Sequence, residues 1–140
     1  MMKDAMIAFA RAVGWGTLAG AAPYMALIFV PMAFSYMAEA SIFEIVVLFA
    51  YPLFLSGAMV LGSALLFGLP LTFFLSEQRR EHGGTYALTG LILGALVPLV
   101  INGALGGRME AELLFFAIPG AFAGLVTGVS WGRWREARSR

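Results

Sequence analysis

Side chains able to do chemistry are scarce in this chain, and the position of each narrows its use. There is no cysteine, which removes thiolate nucleophiles, thiolate metal ligation and disulfides. A single histidine, His82, removes bis-imidazole haem ligation and most zinc chemistry. It follows Arg79 and Arg80 in a glycine-flanked polar loop and reads as a solvated side chain, with phosphate binding by that loop as the alternative. Among the carboxylates, Glu44 closes the run Ser41-Ile42-Phe43-Glu44. That spacing reads as a capping box, in which hydroxyl and carboxylate bond the free amides of a helix start. The alternative is an outer cation site shared with Glu39. Glu110 and Glu112 precede another helix start, where negative charge suits the positive end of the helix dipole. No Ser–His–Asp set, metal-ligand cluster, phosphate-cradling loop or dinucleotide fingerprint occurs. These residues predict no enzyme, no cofactor and no metal.

The elements that would carry these residues follow from the spacing of the charges. Hydrophobic residues make up 61% of the chain and charged residues 12%, with a mean hydropathy of +0.87. Soluble chains run about 45–50% apolar and about 25% charged, so the composition points to lipid as the solvent. It excludes a soluble globular enzyme, a nucleic-acid reader and a disordered tail. A net charge of +1 leaves no basic surface for a polyanion.

Four stretches lack formal charge: Arg11 to Glu39, Glu44 to Glu77, His82 to Arg108, and Glu112 to Arg133. Roughly 20 apolar residues cross a bilayer core, so each stretch predicts one span, at about 12–34, 44–68, 85–105 and 113–132. The expected fold is an all-α integral membrane bundle of four transmembrane helices with short loops, one membrane domain over the whole chain. The second stretch is too long for one straight span. Gly68-Leu69-Pro70 offers a kink or stop, after which 71–80 would lie along the interface. Ala19-Gly20-Ala21 resembles a signal-cleavage site, but apolar sequence continues to Phe34, so the first run is expected to stay as a span.

Cations set the orientation. Lys3, Arg11, Arg79, Arg80, Arg133, Arg135, Arg138 and Arg140 fall on one side, and Arg108 alone on the other. The rule that cations stay inside then predicts a plasma membrane, in bacteria the inner membrane, with both termini cytoplasmic. Trp15, Trp131 and Trp134 lie near that face, as interfacial anchors do. Arg79, Arg80, Arg133, Arg135 and Arg138 are the expected contacts to anionic lipid, while Arg11 snorkels to headgroups.

Small residues predict how the helices pack. Gly120, Gly124, Gly128 and Gly132 recur at every fourth position, a GxxxG series that leaves a groove where another backbone can approach. Gly16 and Gly20 follow Ala12 in the first span, and Gly90 and Gly94 lie in the third. The groove either packs the chain's own helices, docks a helix of another subunit, or lines a pore. Thr17, Tyr24, Tyr51, Ser56, Ser63, Thr89, Asn102 and Thr127 are the uncharged polar groups within spans, expected to bond a neighbouring helix or their own helix four residues back.

Two small transport families fail on specific residues. Small multidrug exporters carry a glutamate in the first span, and 12–34 has none; the third-span signature of dual-topology fluoride channels is missing from Thr85–Leu105. Gly68-Leu69-Pro70-Leu71 ahead of Arg79-Arg80, and a glycine-rich last span ending in Trp131 and arginines, resemble the loose set of uncharacterised small four-span bacterial inner-membrane proteins. That resemblance implies an inner-membrane bundle and no activity. The functional expectation is a non-enzymatic protein acting through helix packing, an accessory, assembly or stabilising subunit. Its partners would be membrane lipids and another membrane subunit or a second copy of itself, with no nucleic acid. The alternative is a small oligomeric channel or transporter whose polar path uses Tyr24, Tyr51, Ser56, Thr89 and Asn102.

Overall fold

A computed structural model describes residues 2–36, 40–77, 82–104, 106 and 112–139, and among these every regular element is a helix. The first rod is α1 (Met2–Tyr24), a five-residue π turn (Met25–Phe29) and α2 (Val30–Tyr36). The second is α3 (Ile42–Ser63), a π turn (Ala64–Gly68) and α4 (Leu69–Glu77). Then come α5 (Gly83–Ala104) and α6 (Glu112–Ser139). Three of these stretches, Lys3–Ser35, Ile42–Leu75 and Gly83–Ala104, are long and apolar enough to cross a membrane. Glu39, Arg79, Arg80, Glu81, Arg108, Glu110 and Arg140 lie outside the described residues.

Proline chemistry explains the two π turns. A proline ring inside a helix collides with the carbonyl four residues back and removes a donor. Each π turn ends two residues before a proline, Pro31 in the first rod and Pro70 in the second. There the ladder shifts to a five-residue reach, Val30 N–H donating to the Met25 carbonyl and Leu69 N–H to that of Ala64. The kink or stop expected at Gly68-Leu69-Pro70 is a widened turn, and the helix continues through it to Glu77. Pro23, Pro52, Pro98 and Pro119 sit inside ordinary α-helix.

The two rods share one plan: a helix of 23 or 22 residues, a five-residue π turn, then a short proline-led helix. Superposing Pro31 on Pro70 pairs Thr17 with Ser56, and these two residues mark where the rods meet. The Ser56 hydroxyl donates to the Thr17 carbonyl at 3.0 Å, across a sequence separation of 39.

Helix ends are finished by local chemistry. At the start of α3 the Glu44 carboxylate accepts from Ser41 N–H at 2.7 Å, and Ser41 Oγ accepts from Glu44 N–H at 3.3 Å, which is the capping box. Beyond α5 the chain turns at Gly106, whose φ of +76° disfavours any residue with a Cβ.

Helix α6 is the hub. It packs against α5 along most of its length and against α1 on an adjacent stripe, while α3 leans on α1 and scarcely meets α5. The helices therefore form an open ring in the order α3, α1, α6, α5. Buried residues are small: Ala12, Ala21, Ala33, Ala64, Ala117 and Ala123, with Val60, Leu75 and Tyr86. Large apolar side chains point outward, Phe54 at 80% exposure and Leu66 at 70%. This reverses the arrangement of a water-soluble core and matches helices that pack through small residues in lipid.

Candidate functional site

The tightest contact in the molecule is a glycine seam between α5 and α6. A methyl group built on Gly90 would overlap the Gly124 carbonyl, and one on Gly124 would overlap the Gly90 carbonyl. Gly94 and Gly120 stand in the same reciprocal relation, and one turn further on a methyl at Gly128 would overlap the Tyr86 carbonyl. Where α5 begins, a Cβ on Gly132 would come within 2.9 Å of Tyr86 Cβ and 3.0 Å of Gly83 Cα. Each absent side chain leaves the place the opposite backbone occupies. Such closeness lets Cα–H groups meet carbonyls and raises the number of dispersion contacts along the seam.

The neighbouring stripe of α6 receives α1. A methyl group on Gly16 would overlap Thr127 Oγ1, and one on Gly20 would lie 2.6 Å from Ser56 Oγ and 3.0 Å from Ala123 Cβ. Gly16 and Gly20 thus pack on α6, and Gly20 also lets α3 come close. The groove that the glycine series offered to another subunit is filled by the chain's own α5. A docking face for a second protein must lie elsewhere.

Near the C-terminal end of α6, Trp131 ties three elements together. Its indole N–H donates to Thr72 Oγ1 of α4 at 2.9 Å, its ring stacks on Trp134 at 5.0 Å, and Phe9 of α1 meets it edge-on at 5.9 Å. Trp131 is half-buried, a bolt between α1, α4 and α6, while Trp15 is exposed. Arg138 sits over the Trp134 ring and pairs with Asp4 at 3.1 Å, so its guanidinium is engaged within the protein. Arg133 is exposed and Arg135 is half-buried. The Glu136 carboxylate accepts from Gly83 N–H at 3.1 Å, supplying a cap to the open amides of α5 from across the seam. The sequence signal for Glu136 was only a lone acid in a basic tail.

Between the second rod and the seam lies an apolar cleft of about 410 Å³, bordered by α1, α3, α5, α6 and both π turns. Its polar lining residues are Tyr24, Tyr51, Ser56, Ser63, Tyr86, Thr127 and Trp131. Thr127 donates to its own helix at the Ala123 carbonyl, and Ser63 to that of Val60. Of the polar path expected for a solute, Tyr24, Tyr51 and Ser56 border the cleft, whereas Thr89 and Asn102 do not. Thr89 donates to the Thr85 carbonyl of its own helix. The His82 carbonyl caps α5 by accepting from Thr85 N–H, and its side chain is exposed. Among the described residues no group of three carboxylate or imidazole side chains converges on a point that could hold a metal. The arrangement suits apolar contact.

Comparison with known proteins found no matching family model, curated protein or solved structure.

Proposed function

We propose that the chain is a four-span bacterial inner-membrane protein with both termini cytoplasmic, and that it acts without catalysis as an accessory or stabilising subunit of a membrane complex. The observation carrying this reading is the uneven attachment of the second rod. Helices α1 and α5 are each bound to α6 by close small-residue stripes, while the α3–α4 rod leans mainly on α1, hydrogen-bonds its neighbours at Ser56–Thr17 and Thr72–Trp131, and leaves many large apolar side chains uncovered. A rod that leans on one neighbour gains most from a second, because association within a membrane is driven by van der Waals packing and hydrogen bonds. The partner surface is then the outward side of this rod, where Phe54 and Leu66 project.

The experiment is native mass spectrometry of the full chain extracted from its own membrane in a mild detergent. Co-purification with one larger complex, lost on Phe54→Ala with Leu66→Ala, supports the subunit. A clean homo-oligomer carrying no partner overturns it and favours the second reading, a small oligomeric channel or transporter. That reading draws on Tyr24, Tyr51 and Ser56 bordering one cleft, and solute flux into liposomes would be its direct measure.

A further inference from the structure

We infer that the cleft is a binding site for one hydrocarbon chain of a membrane lipid. Its walls carry no charged side chain, and hydroxyls are its main polar groups. Apolar cavities of this kind stay free of water and accept apolar guests. Pockets of roughly 300–1,000 Å³ with apolar walls and a few polar groups are the usual form of small-ligand sites, and at about 410 Å³ this one falls within that range.

Its shape narrows the ligand. Along the second rod the lining runs from Tyr51 to Leu71, which at 1.5 Å per residue is about 30 Å. A volume that small spread over that length makes a slot, suited to an extended chain and unsuited to a compact solute or a headgroup. Its position supplies the source. The ring of helices is open between α3 and α5, so the slot communicates sideways with the region that outward-pointing Leu, Ile and Phe side chains face. Phe9 and Trp131 border the slot near the Thr72–Trp131 bond, and Tyr51 borders it at the far end of the second rod's wall. Both π turns contribute wall, Ile28 and Phe29 from one and Phe67 and Gly68 from the other. π turns occur mostly as single interruptions of α-helices, often at functional sites, and two of them bordering one slot give it a shape that straight helices would not.

The inference needs only that the helices lie in the membrane. If that placement failed, the protein would appear in the soluble fraction; if the slot failed, membrane-inserted protein would carry no tightly held lipid.

Gly68 supplies the test. A Cβ there would meet nothing closer than Ala64 Cβ at 3.9 Å, so Gly68→Leu places bulk in the slot without striking backbone. Gly62, on the same rod and not part of the lining, has nothing within 4 Å, so Gly62→Leu adds the same bulk elsewhere. The full chain is reconstituted in nanodiscs of phosphatidylethanolamine and phosphatidylglycerol, released in the mass spectrometer, and its retained lipids are counted. The wild type and Gly62→Leu should each keep one lipid that survives release, and Gly68→Leu should lose it. Ser63→Leu, which fills the slot one turn away, should lose it too, which guards against a folding defect peculiar to position 68. Replacing phosphatidylglycerol by phosphatidylcholine should leave the count unchanged, because the slot holds the tail. No retained lipid on the wild type, retention in both filled variants, or retention that follows the headgroup would each overturn the inference.

Discussion

Gly90 and Gly124 each stand where the other's side chain would be, and that reciprocity makes the smallest substitution informative. Gly124→Ala places a methyl group on the Gly90 carbonyl, a backbone atom that cannot rotate away. The seam must open, and overpacking of this kind costs about 1–3 kcal/mol. Gly14 has nothing within 4 Å of its Cβ position, so Gly14→Ala should instead gain up to about 1 kcal/mol from helix propensity. Reversible unfolding in mixed micelles measures both, and equal effects would remove the seam as a determinant of stability. The indole bond is tested by Trp131→Phe, expected to cost about 0.5–1.5 kcal/mol, with a matching coupling to Thr72→Val in a double-mutant cycle. The fourfold glycine spacing made the groove legible in the sequence. Its occupant was not, because a groove on one helix carries no address, and Gly90–Gly94 announces only that α5 could approach something closely. The Trp131–Thr72 bond is illegible for a related reason: a tryptophan near a basic helix end suits the headgroup zone whether or not it bonds another helix, and Thr72 is far away in sequence. The capping box could be read in full, since both partners lie within one turn.

For the helices, charge spacing showed where the long apolar stretches lie because exclusion of charge from lipid is a one-dimensional constraint. What a proline does inside such a stretch depends on three-dimensional packing. Pro70 announced a disturbance, and whether that became a stop or a widened turn rested on whether the continuing helix found contacts, as Thr72 does with Trp131. The shared plan of the two rods was hidden because their side chains differ while their lengths agree. Pro70→Ala removes the clash that the π turn relieves. The expected outcome is a return to four-residue spacing, rotation of 71–77 and loss of the Thr72–Trp131 bond, read as a shift in tryptophan emission and faster hydrogen exchange at the inner end of α4. Pro52→Ala, within plain α-helix, should leave both unchanged.

At the scale of the whole molecule, the absence of cysteine makes topology directly measurable. Single cysteines at Ala40 and at His82 should label from opposite sides of the membrane, with Ala40→Cys reached by an impermeant thiol reagent from outside and His82→Cys reached only after permeabilisation. Labelling of both from one side would contradict the four-span orientation. The hub position of α6 carries a consequence for synthesis. Translation delivers α1, α3 and α5 before the helix that α1 and α5 both need, so neither stripe can close until α6 has been made. A chain halted before α6 would leave α1 and α5 inserted side by side without their common partner, their glycine faces open to any neighbouring helix. Closure of both stripes is then one event, set by the arrival of α6.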